Sequence, residues 1–219
     1  MGGSEKMKPQ VQPDHYFENA YDSKGRFISY WHQIYEITVL EPQSILEVGI
    51  GNGLTSHYLK QRGLNITTID IDAHLRPDIN GSILDIPFQD ESFDVVACFE
   101  VLEHIPYEKL PHALSELHRI SYRYVILSLP DCSKVYPLYV QIPKLGTLKR
   151  LVPLPRMKSL RHRFDGEHYW EIGKAGFPLQ NIMQDIENAG FEIIKTYRVF
   201  EVPYHRFFVL NKSGRDAHG

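Results

Sequence analysis

An acid and three alternate glycines, Glu47-Val48-Gly49-Ile50-Gly51-Asn52-Gly53, close an apolar run that begins at Ser44. Glycine lets a ligand approach the backbone where a Cβ would hold it off, and it tolerates the positive φ of a sharp turn. Glu47 suits a cationic or hydrogen-bond-donating ligand and is a poor neighbour for a pyrophosphate. The spacing also departs from the Gly-x-Gly-x-x-Gly of dinucleotide sites. Asp70 ends a β-branched run, Asn65-Ile66-Thr67-Thr68-Ile69, and Asp85 opens the turn Asp85-Ile86-Pro87-Phe88. Further on, Glu100, Glu103 and His104 stand at i, i+3 and i+4, so a helical turn would put them on one face. His168 lies far downstream. Carboxylates and imidazoles in this number can move protons or hold a hard divalent cation.

The elements that must position these groups alternate strand with helix. The run 44–49 reads as a buried parallel strand, followed by a helix over 54–62 that Gly63 caps. A second strand covers 65–70. A link too short for a full helix, with Pro77 inside it, leads to a third strand at 79–84. A fourth strand spans 93–99. A helical stretch over 100–105 restarts at Pro106 and becomes an amphipathic helix over 108–120. The fifth strand is 124–129. A helix over 178–189, capped by Gly190, precedes two strands, 191–201 and 205–211. Val202-Pro203-Tyr204 joins them, so they pair antiparallel. Ligands of such open α/β sheets sit at the carboxyl ends of the strands.

Ahead of the sheet, Phe27, Ile28, Trp31, Ile34, Tyr35 and Thr38 have helical spacing and read as a core stripe, with Pro42 ending that helix. Tyr16 and Tyr21 are better placed to form a flap over the site. Residues 1–13 read as a disordered tail, and 14–219 as one domain. The segment 131–176 breaks the pattern and reads as an inserted basic lid. Between 133 and 164 it has no acid and eight cations: Lys134, Lys144, Lys149, Arg150, Arg156, Lys158, Arg161 and Arg163. That run is a solvated face, a site for an anionic substrate, or a contact with an acidic membrane surface.

The chain has 219 residues with a formal charge of −3, which argues against a general nucleic-acid binder. Its two cysteines, Cys98 and Cys132, show no metal spacing and suit a reducing compartment as structural residues. They end neighbouring strands of the expected sheet. With no signal peptide and no apolar run near the ~20 residues of a membrane helix, the cytoplasm is the expected location.

Four features in order resemble the class I S-adenosylmethionine-dependent methyltransferases. They are Leu46-Glu47-Val48-Gly49-x-Gly51-x-Gly53, Asp70, Asp85-Ile86-Pro87-Phe88 with Ser92-Phe93-Asp94-Val95-Val96, and Glu100-Val101-Leu102-Glu103-His104-Ile105. The resemblance implies a Rossmann-like, seven-stranded mixed sheet with an antiparallel last strand and helices on both faces. It implies S-adenosylmethionine as cofactor and S-adenosylhomocysteine as product. On that reading Gly49, Gly51, Asn52 and Gly53 cradle the methionine part, and Glu47 meets its ammonium. Asp70 accepts from the ribose hydroxyls, Ile71 and Ile86 sandwich adenine, Asp85 accepts from its amino group, and Glu100 and Val101 face the sulfonium. Asp94 reads as a structural cap.

The implied acceptor is a small molecule, methylated at oxygen, nitrogen or carbon and anionic if the basic lid binds it. His104 and His168 are the preferred proton-handling residues, with Glu103 and Asp131 as others. His168-Tyr169-Trp170-Glu171 forms either an acceptor-pocket wall or an aromatic hinge. The Glu-x-x-Glu-His set with a distant histidine also resembles metal-assisted O-methyltransferases. A divalent metal is the less favoured reading, because the same residues start a helix in relatives without one. The alternative of another class is a non-catalytic module that binds the cofactor and regulates a partner. A homodimer is an expected assembly.

Overall fold

The computed structural model describes residues 9–19, 21–144, 146–154 and 160–212. In chain order the strands are β1 (Ile45–Val48), β2 (Ile66–Asp70), β3 (Ile79–Asn80), β4 (Phe93–Phe99), β5 (Ser121–Pro130), β6 (Val135–Ile142), β7 (Gly146–Pro153), β8 (Phe191–Arg198) and β9 (His205–Lys212). The helices are α1 (Lys24–Thr38), α2 (Leu54–Gln61), α3 (Leu110–Ile120) and α4 (Leu179–Asn188). Seven strands form one sheet in the order β3-β2-β1-β4-β5-β9-β8, while β6 and β7 pair apart from it. The first five strands are parallel, and β9 is inserted antiparallel between β5 and β8. This is the expected mixed sheet with its reversed last strand.

Successive residues of a strand point to opposite faces. Leu46, Val48, Val96 and Cys98 therefore meet α3 and α4 on one side, through Leu114 and Ile182 among others. Ile45, Val95 and Ala97 meet α1 and α2 on the other, through Ile37 and Leu59. Both faces of the sheet are covered, so the strands read as near-continuous apolar runs rather than alternating ones.

α1 departs from its expected orientation. It starts at Lys24, with the Ser23 side chain accepting from the Arg26 amide at 3.2 Å. Yet Trp31 is 57% exposed, and Phe27 and Tyr35 are exposed with it. The buried face carries Ser29, Gln33 and Glu36 instead. Each has a specific partner there. Gln33 Oε1 accepts from the Thr55 hydroxyl (2.6 Å), Glu36 Oε1 from Lys195 Nζ (2.6 Å) and Tyr197 (2.7 Å), and Ser29 bonds His205 Nδ1 (2.7 Å). Turning the aromatic stripe inward would strand these groups, and an unmet buried polar group costs more than an exposed ring.

The chain after β4 also differs from the expected helix. Glu100 has a left-handed backbone, φ 53°, a conformation that non-glycine residues seldom adopt. It turns the chain sharply at the strand end, and only a 3-10 turn, Leu102–His104, follows. The third strand shrinks to two residues because the chain reverses at Ser82–Asp85. The segment expected to be irregular holds the β6–β7 hairpin. Of the basic run, Arg156 and Lys158 lie outside the described residues, as do residues 1–8 of the expected tail. The rest of that tail is placed against the site, and Pro13–Phe17 forms a 3-10 helix.

Candidate active site

A cavity opens at the carboxyl ends of β1, β2 and β4, where the glycine turn sits. The turn uses left-handed backbone at Gly49 (φ 82°) and Gly51 (φ 53°). A Cβ on Gly49 would stand 2.2 Å from Val101 Cγ2, so the end of β4 fits against β1 only because glycine is there. Asp70 holds this turn from the neighbouring strand. Its Oδ2 accepts from the Ile50 amide and its Oδ1 from the Asp72 amide, each at 2.8 Å. Each oxygen keeps acceptor capacity toward the cavity. Burial raises the pKa of Asp70, against the pull of those two amides.

Glu47 is 3% exposed at the floor of the cavity. Its Oε2 is buried with no hydrogen-bond partner among the described residues. Burial pushes its pKa up to about 8, with a Ser56 hydrogen bond opposing the shift. A neutral acid with an unmet oxygen is a ready receptor for a cationic donor.

The N-terminal segment closes the cavity from outside. Tyr16 and Tyr21 line it and pack edge to face, ring centroids 5.4 Å apart, where a flap was expected. Arg26 lies over the Tyr21 ring at 4.2 Å and also lines the cavity. Gln10 ties this segment to the site, its Nε2 donating to the His104 carbonyl at 2.8 Å.

Glu100, Val101 and His104 line the cavity on the β4 side. His104 Nδ1 faces two acceptors, Gln10 Oε1 at 2.9 Å and the Glu167 carbonyl at 3.0 Å. That network assigns the proton to Nδ1 and leaves Nε2 a lone pair. Burial, then His168, lowers the His104 pKa, keeping it neutral. His168 stands edge-on to His104 with centroids 5.0 Å apart. Its Nδ1 is held by Glu171 Oε1 at 3.1 Å. Burial works against charge on His168, but the bond and charge of Glu171 outweigh it and raise its pKa. The pKa of Glu171 is depressed, chiefly by its His168 bond, and it also accepts from Cys132 (2.9 Å), Tyr204 and Lys174.

Backbone pairing brings the histidines together. The Tyr169 amide donates to the Glu103 carbonyl at 2.8 Å, and the fully buried Trp170 donates through Nε1 to the Ile105 carbonyl at 3.1 Å. Trp170 thus pins this segment to the core beside Ile105. Glu103 is wholly buried, and neither carboxyl oxygen has a partner among the described residues. Burial first and Glu100 second carry its pKa well above the carboxylate range. Donor atoms of Glu103, His104 and His168 all lie within 4.8 Å of one another. The helical face that was expected to include Glu100 does not form, yet the other three converge through tertiary contact.

Other expected residues fall elsewhere. Ile71 and Asn52 line the cavity, but Asp85 and Ile86 do not. The turn at Ser82–Asp85 leaves Asp85 exposed and sends Ile86 into the core, so Ser82 and Ile83 face the cavity in their place. Gly53 (φ 73°) caps α2 and stands off the cavity wall. Asp131 is buried away from the cavity against Arg206 (2.8 Å) and Arg198 (3.6 Å), a structural role. Asp94 accepts from the Gln43 amide at 2.7 Å, the cap expected of it. Cys98 is packed in the core and Cys132 beside Glu171; both thiols are free, with burial raising both pKa values. Among the described residues, none from 133 to 164 lines the cavity. The cavity's wall also takes in Tyr30, Gln33 and Thr55, which the motifs did not signal. Only Gln33 carried a signal, as one of the polar residues Ser29, Gln33 and Glu36 spaced along an otherwise aromatic helix.

Residues 46–123 match a family described as a methyltransferase domain. The ubiquinone biosynthesis O-methyltransferase of Stutzerimonas stutzeri is 34% identical over 82 residues, which is 31% of this chain and 35% of that protein. The chain thus spans about a third of the length of the curated relatives it matches. An S-adenosylmethionine-dependent methyltransferase from Clostridium acetobutylicum superposes with a TM-score of 0.61 at 10% identity, over 91% of this chain and 99% of that one. The 1,6-didemethyltoxoflavin-N1-methyltransferase of Burkholderia thailandensis, solved with bound 1,6-didemethyltoxoflavin and S-adenosylhomocysteine, gives 0.54 at 13% identity, over 94% and 93%. Sheet order, glycine turn and matched segment define a class I S-adenosylmethionine-dependent methyltransferase fold. Within it, the segment similar to the methyltransferase-domain family, residues 46–123, runs from β1 and the glycine turn through α3 into the start of β5.

Proposed function

We propose that the protein transfers the methyl group of S-adenosylmethionine to a hydroxyl of a small-molecule acceptor, with His104 taking the proton. The observation that carries this reading is the two-sided cavity. Asp70, Glu47 and the glycine turn form one pole, and His104, with Nδ1 fixed and Nε2 able to accept, stands at the other. The likeness to O-methyltransferases supports oxygen as the acceptor atom.

The residues fit the cofactor on this structure's own terms. The unmet Glu47 oxygen suits an ammonium, the Gly49 turn has no room for a Cβ, and the Asp70 oxygens suit a vicinal diol. Ser82, Ile71 and Ile83 are placed for the base. When bound, S-adenosylmethionine supplies an electrophilic methyl carbon on a sulfonium. The chain supplies alignment, exclusion of water by Tyr16 and Tyr21, and a base. His104 Nε2 would take the proton that the acceptor hydroxyl gives up on methylation. His168, oriented by Glu171, supports the His104 ring.

A second reading of the same residues has its own observation. Glu103, with both oxygens unmet, together with His104 and His168 forms a donor set that suits a divalent cation. Such an ion would lower the pKa of a bound hydroxyl. The test is production of S-adenosylhomocysteine from S-adenosylmethionine with a panel of hydroxyl-bearing metabolites, run beside calorimetric cofactor binding. Turnover that His104→Gln abolishes, with cofactor affinity kept, is the expected result. Binding without turnover on every acceptor would instead favour a regulatory module, and no binding would sink both.

A further inference from the structure

The β6–β7 hairpin stands apart from the seven-stranded sheet, and its two faces differ. Its register pairs Tyr136 with Val152, Leu138 with Arg150, Val140 with Leu148 and Ile142 with Gly146. Side chains of directly paired residues share a face, and the faces alternate along the strand. One face therefore carries Tyr136, Leu138, Val140, Ile142, Leu148 and Val152 as an apolar ladder with Arg150 inside it. All six are exposed, Tyr136 by 66%.

The opposite face, though Tyr139 on it is exposed, makes the hairpin's contacts with the body of the protein. Lys149 pairs with Glu201 at 2.8 Å and lies 5.4 Å over the Phe200 ring. Val135, Leu151 and Pro153, also on that face, wall a groove against Arg198 and Arg206. The body contacts thus fix which way the apolar ladder points, and it points away from the fold. Monomeric soluble domains seldom leave such a contiguous apolar surface uncovered.

We infer that this outward face docks the protein on an anionic phospholipid bilayer. Charge selects that occupant. The stretch 133–164 contains eight of the chain's 24 Lys and Arg and none of its 27 Asp and Glu up to Phe164. Among the described residues no acid pairs with Lys134, Lys144 or Arg150. Lys134 and Lys144 stand at the two ends of β6 and Arg150 within the apolar ladder, as an interfacial element requires to meet acyl chains and anionic headgroups together. The rest of the chain is strongly acidic and would be repelled by the same surface, so the hairpin is the part presented to it. A second copy of the chain fits less well, because facing ladders would bring like charges together. The contact is peripheral. No described helix is long and apolar enough to cross a membrane, and a two-stranded ribbon has edges that lipid cannot satisfy.

The test is flotation of the full chain with vesicles of phosphatidylcholine alone or with about one third phosphatidylglycerol. The protein is expected to float with the anionic vesicles and to be released by high salt. The double variant Leu138→Glu/Leu148→Glu should lose roughly tenfold or more of that partitioning, with melting temperature and S-adenosylmethionine affinity unchanged because neither side chain packs on the body. Arg150→Glu should weaken binding at low salt. Failure of the native chain to float with anionic vesicles would overturn the inference, as would equal flotation of the double variant. A concentration-dependent dimer lost in the double variant, without vesicle binding, would assign the face to self-association instead. None of these outcomes depends on the methyl-transfer reading.

Discussion

Replacing Glu47 with glutamine removes a buried acid whose charge its surroundings do not support. Its pKa in the folded protein is about 8 against an ordinary 4.5. At about 1.4 kcal/mol per pH unit, the difference between its two protonation states is roughly 5 kcal/mol. The sign follows from proton counting. Below pH 4.5 the carboxyl is protonated in both the folded and unfolded chain, so it costs the fold nothing. As pH rises toward 8 the unfolded chain ionises while the folded one keeps its proton, and stability falls. By about pH 7 the linked loss is about 3 kcal/mol. A neutral amide at this position would resemble the protonated acid and escape this loss. Urea denaturation of the ligand-free proteins between about pH 5 and 8.5 should show the variant gaining steadily on the native chain, by roughly 1 kcal/mol per pH unit, then levelling near pH 8. Other buried acids, Glu103 among them, add slope to both proteins and cancel in the comparison. Cofactor binding should show the reverse cost. In the native chain an arriving ammonium draws the proton off Glu47, so binding near pH 7 releases up to about one proton and tightens as pH rises toward 8. Calorimetry in buffers of different ionisation enthalpy reads that release directly. Parallel stability profiles for the two proteins, or binding with no proton release, would refute the assignment of a neutral Glu47.

Asp70→Asn presents an N–H to one of the two amides, Ile50 or Asp72, that need an acceptor, and it loses charge toward the cavity. Affinity for S-adenosylmethionine should fall by about 1.5–3 kcal/mol in a titration, and an unchanged affinity would remove Asp70 from the site. Gly49→Ala places a Cβ against Val101 in a left-handed backbone, and should lower the melting temperature by several degrees and abolish cofactor binding. Glu171→Gln should reduce kcat with little effect on cofactor affinity, because it orients His168 rather than touching the ligand. For the cation reading, prior chelation should abolish activity and added Mn²⁺ or Zn²⁺ restore it. Activity indifferent to both would leave Glu103, His104 and His168 as a proton-handling cluster only.

The local code of the chain was enough for the sheet and for the glycine turn, Glu47 and Asp70 on the cavity wall. Apolar runs bounded by glycine and proline marked the parallel strands, and the turn after Glu47 could be read because its chemistry is written in consecutive residues. Asp70 was legible for the same reason, since it ends a strand whose neighbour was already placed. Elsewhere the outcome depended on partners distant in sequence. Trp31 and Tyr35 lost the contest for the interior of α1 to Gln33 and Glu36, whose hydrogen-bond partners arrive with Thr55, Lys195 and Tyr197. A left-handed Glu100 cancelled the helical spacing of the Glu100–His104 stretch. Tertiary pairing of Tyr169 and Trp170 with Glu103 and Ile105 then rebuilt part of that cluster with His168. The reversal at Ser82 put Ser82 and Ile83 on the cavity wall in place of Asp85 and Ile86. The basic run gave its charge in the sequence, but only the strand register of β6 and β7 separated a face turned to the body from one turned to solvent. A chain's sequence determines local propensity and alternation. Which of two competing faces is buried is settled by where the rest of the molecule can satisfy buried polar groups.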